Sequence, residues 1–168
     1  GGVGNFAVAL LARLGFRVTA ATGRLDETDH LNTLGAVEVV DRTELAVPGK
    51  PLQKERWAAA IDVAGGVTLA NVCASVRYGG LVAACGLAEK MDLPLTVAPF
   101  ILRGVTLRGV DSVMAPMALR ERAWARLAEI DHQTLDRIGR EIDLDAAIPA
   151  ASDLLAGRIR GRVAVRIG

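Results

Sequence analysis

Gly1-Gly2-Val3-Gly4-Asn5-Phe6-Ala7-Val8 opens the chain, and Thr22-Gly23-Arg24 ends the next apolar segment. Phe6, Leu10, Leu11 and Leu14 recur at helical spacing, which predicts a helix over 4–15 closed by Gly15. Phe16 to Ala21 then reads as a strand. A glycine cluster that opens a helix, with a strand end about 20 residues on, is the phosphate-binding turn of a dinucleotide fold. The strand that normally precedes such a turn is not in the chain, so the pattern is that of a fold entered after its first strand.

Beyond this unit the sequence alternates. A helix is predicted over 26–34, capped by Asp26, and a short strand over 37–40. A loop carrying Pro48, Gly49 and Pro51 leads to a strand over 57–63 and a helix over 67–76. Arg77-Tyr78-Gly79-Gly80 reads as a turn into a strand over 81–85. A loop over 87–96, a short helix over 99–103 started by Pro99, and a strand over 105–110 follow. Near-continuous Val/Ala/Leu strands separated by helices predict an α/β Rossmann fold, a doubly wound parallel sheet with its first strand missing. After Ser112 the pattern changes. Helices are predicted over 118–129 and 146–156, and strands over 140–144 and 160–167. Both strands alternate Arg with Val or Ile, which suggests a half-exposed antiparallel pair. The expected division is 1–114 and 115–168.

The 168 residues carry a formal net charge of +1 and few aromatics, and the arginines are spread along the chain. No basic stripe interleaved with aromatics marks a nucleic-acid binder. The apolar runs are shorter than the ~20 residues a membrane span needs, and no signal peptide is visible. The two cysteines, Cys73 and Cys85, lack metal-ligand spacing and read as small core residues, so no metal is expected and a reducing, cytoplasmic setting is.

The end of the second strand of the fold decides the cofactor. An NAD site places Asp or Glu there for the ribose 2′-hydroxyl. Thr22-Gly23-Arg24 instead offers a hydroxyl, space and a guanidinium suited to a 2′-phosphate, so NADP(H) is expected. Arg42, just past the next strand, lies at the same sheet edge. Gly1 and Gly4 take the second and third glycine places of the fingerprint, one for close approach of the pyrophosphate and one for helix packing. Leu87 and Ser112 fall at the carboxyl ends of later strands. His30 and His132 read as surface residues, and Tyr78 sits at the wrong end of the sheet for catalysis. No nucleophile paired with a base is apparent, and hydride transfer needs none.

Gly1-Gly2-Val3-Gly4, Thr22-Gly23-Arg24, Trp57 to Asp62, Tyr78 to Ala88, Pro99 to Val105 and Gly109 to Val113 resemble a subfamily of the medium-chain dehydrogenase/reductases. It is the zinc-independent, NADPH-dependent acrylyl-CoA reductase group, also called YhdH-type quinone oxidoreductases. The resemblance implies a nucleotide-binding domain joined to a GroES-like substrate domain, to which the last ~50 residues return. It implies reduction of acryloyl-CoA to propionyl-CoA, and NADP contacts at Gly1, Gly2, Val3, Gly4, Thr22, Gly23, Arg24, Arg42, Leu87, Ile101 and Ser112. A further family contact is an asparagine, and Leu154 to Gly161 contains none. The family's active-site tyrosine lies in the N-terminal domain, so no catalytic residue is named and the polypeptide is expected to be inactive alone. Reduction of quinones or other enones, and a nucleotide-binding module without chemistry, remain the alternative readings. Val105 to Met114 is apolar enough to join two copies in a homodimer, and burial in the core would explain the same pattern.

Overall fold

The computed structural model describes residues 1–168. Its contacts divide into two compact units, one of residues 1–20, 26–39 and 117–168, the other of residues 21–25 and 40–116.

The first unit begins with α1 (Gly2–Arg13), which starts two residues earlier than periodicity predicts, because Gly2 and Gly4 carry no side chain for an apolar pattern to register. It ends with Leu14 as C-cap, and Gly15 follows at φ 83°, the left-handed residue that closes many helices. Strands β1 (Val18–Thr22) and β2 (Ala36–Asp41) pair in a two-stranded sheet, and each ends in the second unit. Between them α2 (Thr28–Thr33) is preceded by a 3₁₀ turn over Leu25–Glu27. The N-cap is therefore Glu27, without a side-chain cap, and the expected cap at Asp26 is corrected: Asp26 lies inside the 3₁₀ turn. Val8, Ala9, Val18, Ala20, Leu31, Leu34, Ala36 and Ile138 form the unit's buried core.

The charged segment after residue 116 supplies α5 (Met117–Leu127), α6 (His132–Ile138), β6 (Gly139–Asp143), α7 (Ala147–Leu155) and β7 (Arg162–Arg166). Helix α6 has no counterpart in the sequence reading. Asp131 caps it by accepting from the Thr134 backbone N–H at 2.8 Å. The antiparallel expectation for the last two strands is overturned: β6 and β7 run parallel, Gly139 opposite Arg162 through Asp143 opposite Arg166. Alternating Arg and Val reports only that one face is wet, and it is silent on direction. The direction follows from the connection, since helix α7 makes a crossover that returns the chain to the same end.

The second unit holds the parallel sheet β3 (Trp57–Asp62), β4 (Val76–Ala84) and β5 (Thr106–Gly109), in that order. Arg77 to Gly80, expected as a turn, form an irregular start to β4. The register jumps from Trp57 opposite Val76 to Ala59 opposite Leu81. Helices α3 (Gly66–Ser75) and α4 (Ala98–Arg103) pack on β4 around Leu69, Val72, Cys73, Val76, Val82 and Val105. The Arg103 guanidinium pins this unit from within. It donates to the carbonyls of Gln53 (2.6 Å) and Ala74 (2.9 Å) and pairs with Glu55 at 3.5 Å. In the strand order 3-2-1-4-5-6 of a dinucleotide-binding sheet, strands 2 and 3 form a pair and strands 4 to 6 a trio. The sheets β1-β2 and β3-β4-β5 reproduce those two groups, which places the chain in the doubly wound α/β class.

Candidate functional site

In the second unit, Thr22-Gly23-Arg24 forms a tight turn at the carboxyl end of β1. The Thr22 hydroxyl accepts from the Arg24 backbone N–H at 3.1 Å. It thus orders the turn that Arg24 projects from, a role the sequence reading did not give it. Arg42 begins a 3₁₀ turn after β2, and its guanidinium lies over Gly23. A Cβ added at Gly23 would sit 3.2 Å from Arg42 Nη2 and 3.6 Å from its Cζ. Any larger residue at 23 would therefore have to displace the guanidinium. The neighbouring carboxylate is held in place elsewhere: Asp41 accepts from the Thr43 N–H at 2.8 Å, and that bond lowers its pKa. The two arginines expected at a 2′-phosphate thus flank one glycine whose side-chain space is occupied by a cation.

The carboxyl ends of the three-stranded sheet carry the other predicted positions of this unit. Leu87 follows β4 and is 60% exposed, and Ile101 on α4 is 74% exposed. Ser112 follows β5 and is exposed as well. Leu87 is carried by a loop laid across the end of β3, where Ala88 and Glu89 donate backbone N–H bonds to the carbonyls of Val63 (3.2 Å) and Ala64 (2.8 Å). Below it Asp62, only 5% exposed, accepts from the Gly65 N–H at 2.8 Å. Burial pushes its pKa up against that bond. Cys73 is fully buried, and the same effect raises its thiol to about 11. No three His, Cys, Asp or Glu side chains converge as a metal-binding group.

In the first unit, the glycine turn begins α1. Gly1 is the N-cap and no side chain caps the helix, so its leading N–H groups point out of the helix end. The packing role expected of Gly4 is not visible within the chain, because nothing lies within 4 Å of a Cβ built there. The crowded glycine is Gly2, whose Cβ would meet Arg162 Nε at 3.1 Å and the Gly161 carbonyl at 3.2 Å. Asn5 is 4% exposed, and its amide nitrogen donates to His30 Nε2 at 3.3 Å. His30 is consequently half-buried and partnered, which corrects its reading as a bland surface residue, whereas His132 is exposed as expected. Asn5 was invisible to the sequence reading because one polar residue inside an apolar helix carries no periodic signal.

Residues 2–129 match the family model described as zinc-binding dehydrogenase. The chain belongs to this family. Among relatives of this chain, the probable acrylyl-CoA reductase AcuI of Escherichia coli K12 is 47% identical over 168 residues, covering 99% of the chain and 52% of the relative. Acrylyl-CoA reductase AcuI of Ruegeria pomeroyi is 46% identical, covering 99% and 51%. The putative quinone oxidoreductase YhfP of Bacillus subtilis is 42% identical, covering 99% and 52%. The chain thus spans about half the length of the curated relatives it matches. Its fold superposes on the YhdH oxidoreductase of Salmonella enterica in complex with NADP with a TM-score of 0.96, at 46% identity, covering 100% of this chain and 52% of that one. YhdH of E. coli K-12 with bound NADPH gives 0.95 at 47% identity, with the same coverages. B. subtilis YhfP with NAD bound gives 0.94 at 42%, covering 99% and 52%.

The partial burial of His30 makes stability pH-dependent. Burial first, then the charge of Arg160, lower the His30 pKa below 6.5, with Glu27 opposing. A lowered folded-state value means that the unfolded chain binds more protons, so stability rises with pH through this window. The contribution is complete above 6.5 and declines as pH falls toward the folded value. Urea unfolding is expected to show a lower midpoint at acid pH than at neutral pH, with the difference reduced in His30→Gln.

Proposed function

We propose that the protein carrying these residues transfers a hydride from NADPH to the activated C=C bond of acryloyl-CoA. The cofactor, when bound, supplies the hydride. The hydride adds to the carbon β to the thioester and a proton to the α carbon, giving propionyl-CoA and NADP⁺. The observation that carries the reading is 46–47% identity, along essentially the whole chain, to proteins named acrylyl-CoA reductases. The cradle supports the choice of cofactor: Arg24 and Arg42 flank Gly23, and a guanidinium fills the space where a carboxylate would reject a 2′-phosphate. Thr22 orders that turn, Gly1, Gly2, Val3 and Gly4 present the helix start to the pyrophosphate, and Leu87, Ile101 and Ser112 serve the nicotinamide side. Residues 1–114 act as the nucleotide-binding domain and 115–168 return to a substrate domain. Residues 1–168 contribute cofactor binding, and no residue among them is assigned as catalytic. The exposed Val110, Val113 and Met114 beyond the edge strand β5 favour pairing of two copies there.

The test compares a full-length protein carrying this chain with residues 1–168 alone. The full-length protein is expected to oxidise NADPH with acryloyl-CoA, and the 168 residues alone are expected not to. The name of the B. subtilis relative favours a second reading, quinone reduction. A kcat/KM for a benzoquinone above that for acryloyl-CoA would replace the thioester assignment with it.

A further inference from the structure

We propose that Glu89 is a positioning residue that ties down the loop carrying Leu87 and so fixes the nicotinamide side of the cofactor site, an inference that rests on the function proposed above. Glu89 stands two residues after Leu87 and is half-buried. Its carboxylate reaches the first turn of α3, where Oε2 accepts from the Thr68 hydroxyl at 2.5 Å. Thr68 is itself buried. Glu89 Oε1 lies over Gly66, 2.8 Å from the position a Cβ there would take. Helix α3 has no side-chain cap of its own, since its N-cap is Gly65 at φ 75°. A carboxylate beside that positive helix end has the favourable sign. Here the carboxylate comes from the loop, so the contact that suits the helix also holds the loop.

The loop is laid flat on the turn that ends β3. A Cβ at Gly86 would sit 2.6 Å from the Val63 carbonyl oxygen. One at Gly65 would lie 3.4 Å from Leu87 Cα and would overlap the Lys90 carbonyl oxygen. Ala88 and Glu89 bond to the carbonyls of Val63 and Ala64, and Lys90 bridges to Gly65. Asp62 holds the same turn through the Gly65 N–H. The seat is thus made by backbone, and Glu89 adds a side-chain tie from the loop to α3. The Leu87 side chain is largely exposed, so its place is set by the backbone that carries it. The cations proposed for the 2′-phosphate, Arg24 and Arg42, stand on other turns, so the two ends of the cofactor can be disturbed separately. A misplacement of about 1 Å at the reacting end can cost up to about 100-fold in rate.

The experiment compares the full-length protein with its Glu89→Ala, Glu89→Gln and Thr68→Val variants. It measures kcat at saturating NADPH with whichever acceptor the parent uses, acryloyl-CoA or a benzoquinone. It also measures the Kd for 2′-phospho-ADP-ribose, which lacks the nicotinamide, and amide exchange over residues 87–90. Glu89→Ala is expected to lower kcat about 10-fold, to speed exchange at Ala88, and to leave the Kd for 2′-phospho-ADP-ribose unchanged. Glu89→Gln keeps an acceptor for the Thr68 hydroxyl and is expected to recover most of the rate. Thr68→Val is expected to reproduce Glu89→Ala, and the double variant to lose no more than either single one. An unchanged kcat in Glu89→Ala would overturn the proposal, and so would losses that add in the double variant. A weaker Kd for 2′-phospho-ADP-ribose, with a lower melting temperature and no recovery by Gln, would make Glu89 structural. If the parent protein binds no NADPH, the cofactor reading itself fails, whereas exchange at Ala88 still decides whether Glu89 holds the loop.

Discussion

Arg24→Asp in the full-length protein is expected to weaken NADPH binding by about 100-fold and to leave NADH within a few-fold of the parent. A guanidinium on a phosphate makes charge-assisted hydrogen bonds of about 1.5–3 kcal/mol each, and a carboxylate in its place adds repulsion of the same sign. Together these effects correspond to about two decades in Kd. NADH lacks the 2′-phosphate and loses nothing, while the new carboxylate can accept from its ribose hydroxyls. Arg42→Ala should cost NADPH less, about 10-fold, because Arg24 remains. Gly23→Val should resemble Arg42→Ala, since its side chain would push the Arg42 guanidinium off the turn. Titrations with both nucleotides decide the matter. A change in the NADPH:NADH affinity ratio of less than three-fold for Arg24→Asp would remove the 2′-phosphate from this turn.

Gly161→Ala is expected to destabilise the first unit by about 3 kcal/mol or more, among the larger effects of a single methyl group. Two costs add. A left-handed φ of 71° strains any residue with a Cβ by about 1–2 kcal/mol. The Cβ would also overlap the Ile138 carbonyl, so β6 and β7 would have to separate where they meet. Gly157→Ala separates these costs. Its φ is 70°, but nothing lies within 4 Å of its Cβ position, so only the strain should appear. Thermal or urea unfolding should therefore rank parent, Gly157→Ala and Gly161→Ala in falling stability. Equal losses for the two variants would show that the Ile138 carbonyl yields freely.

Much of this protein could be read from the order of its residues because the signals are local. Helix α1 follows from Phe6, Leu10, Leu11 and Leu14, and its stop from Gly15. The buried strand segments around Val40 and Val82 follow from continuous apolar runs. Arg24 could be singled out as a candidate because the fingerprint fixes how far the discriminating residue stands from the glycines. The direction of β7 was not legible, because strand polarity is set by the path of the connection and leaves no mark on the alternation of Arg and Val. Asn5 and His30 pair across 25 positions, a distance over which no local pattern reports.

The sequence by itself determined the α/β class, and it singled out the glycines at the start of α1 and the cations proposed for a 2′-phosphate, since each signal depends on neighbours within one turn or one strand. Only the tertiary structure decided that Arg42 lies on Gly23, that Gly2 is the crowded glycine of the turn, and that Arg162 is the residue crowding it. Those are contacts between segments far apart along the chain, and packing creates them where no spacing rule reaches.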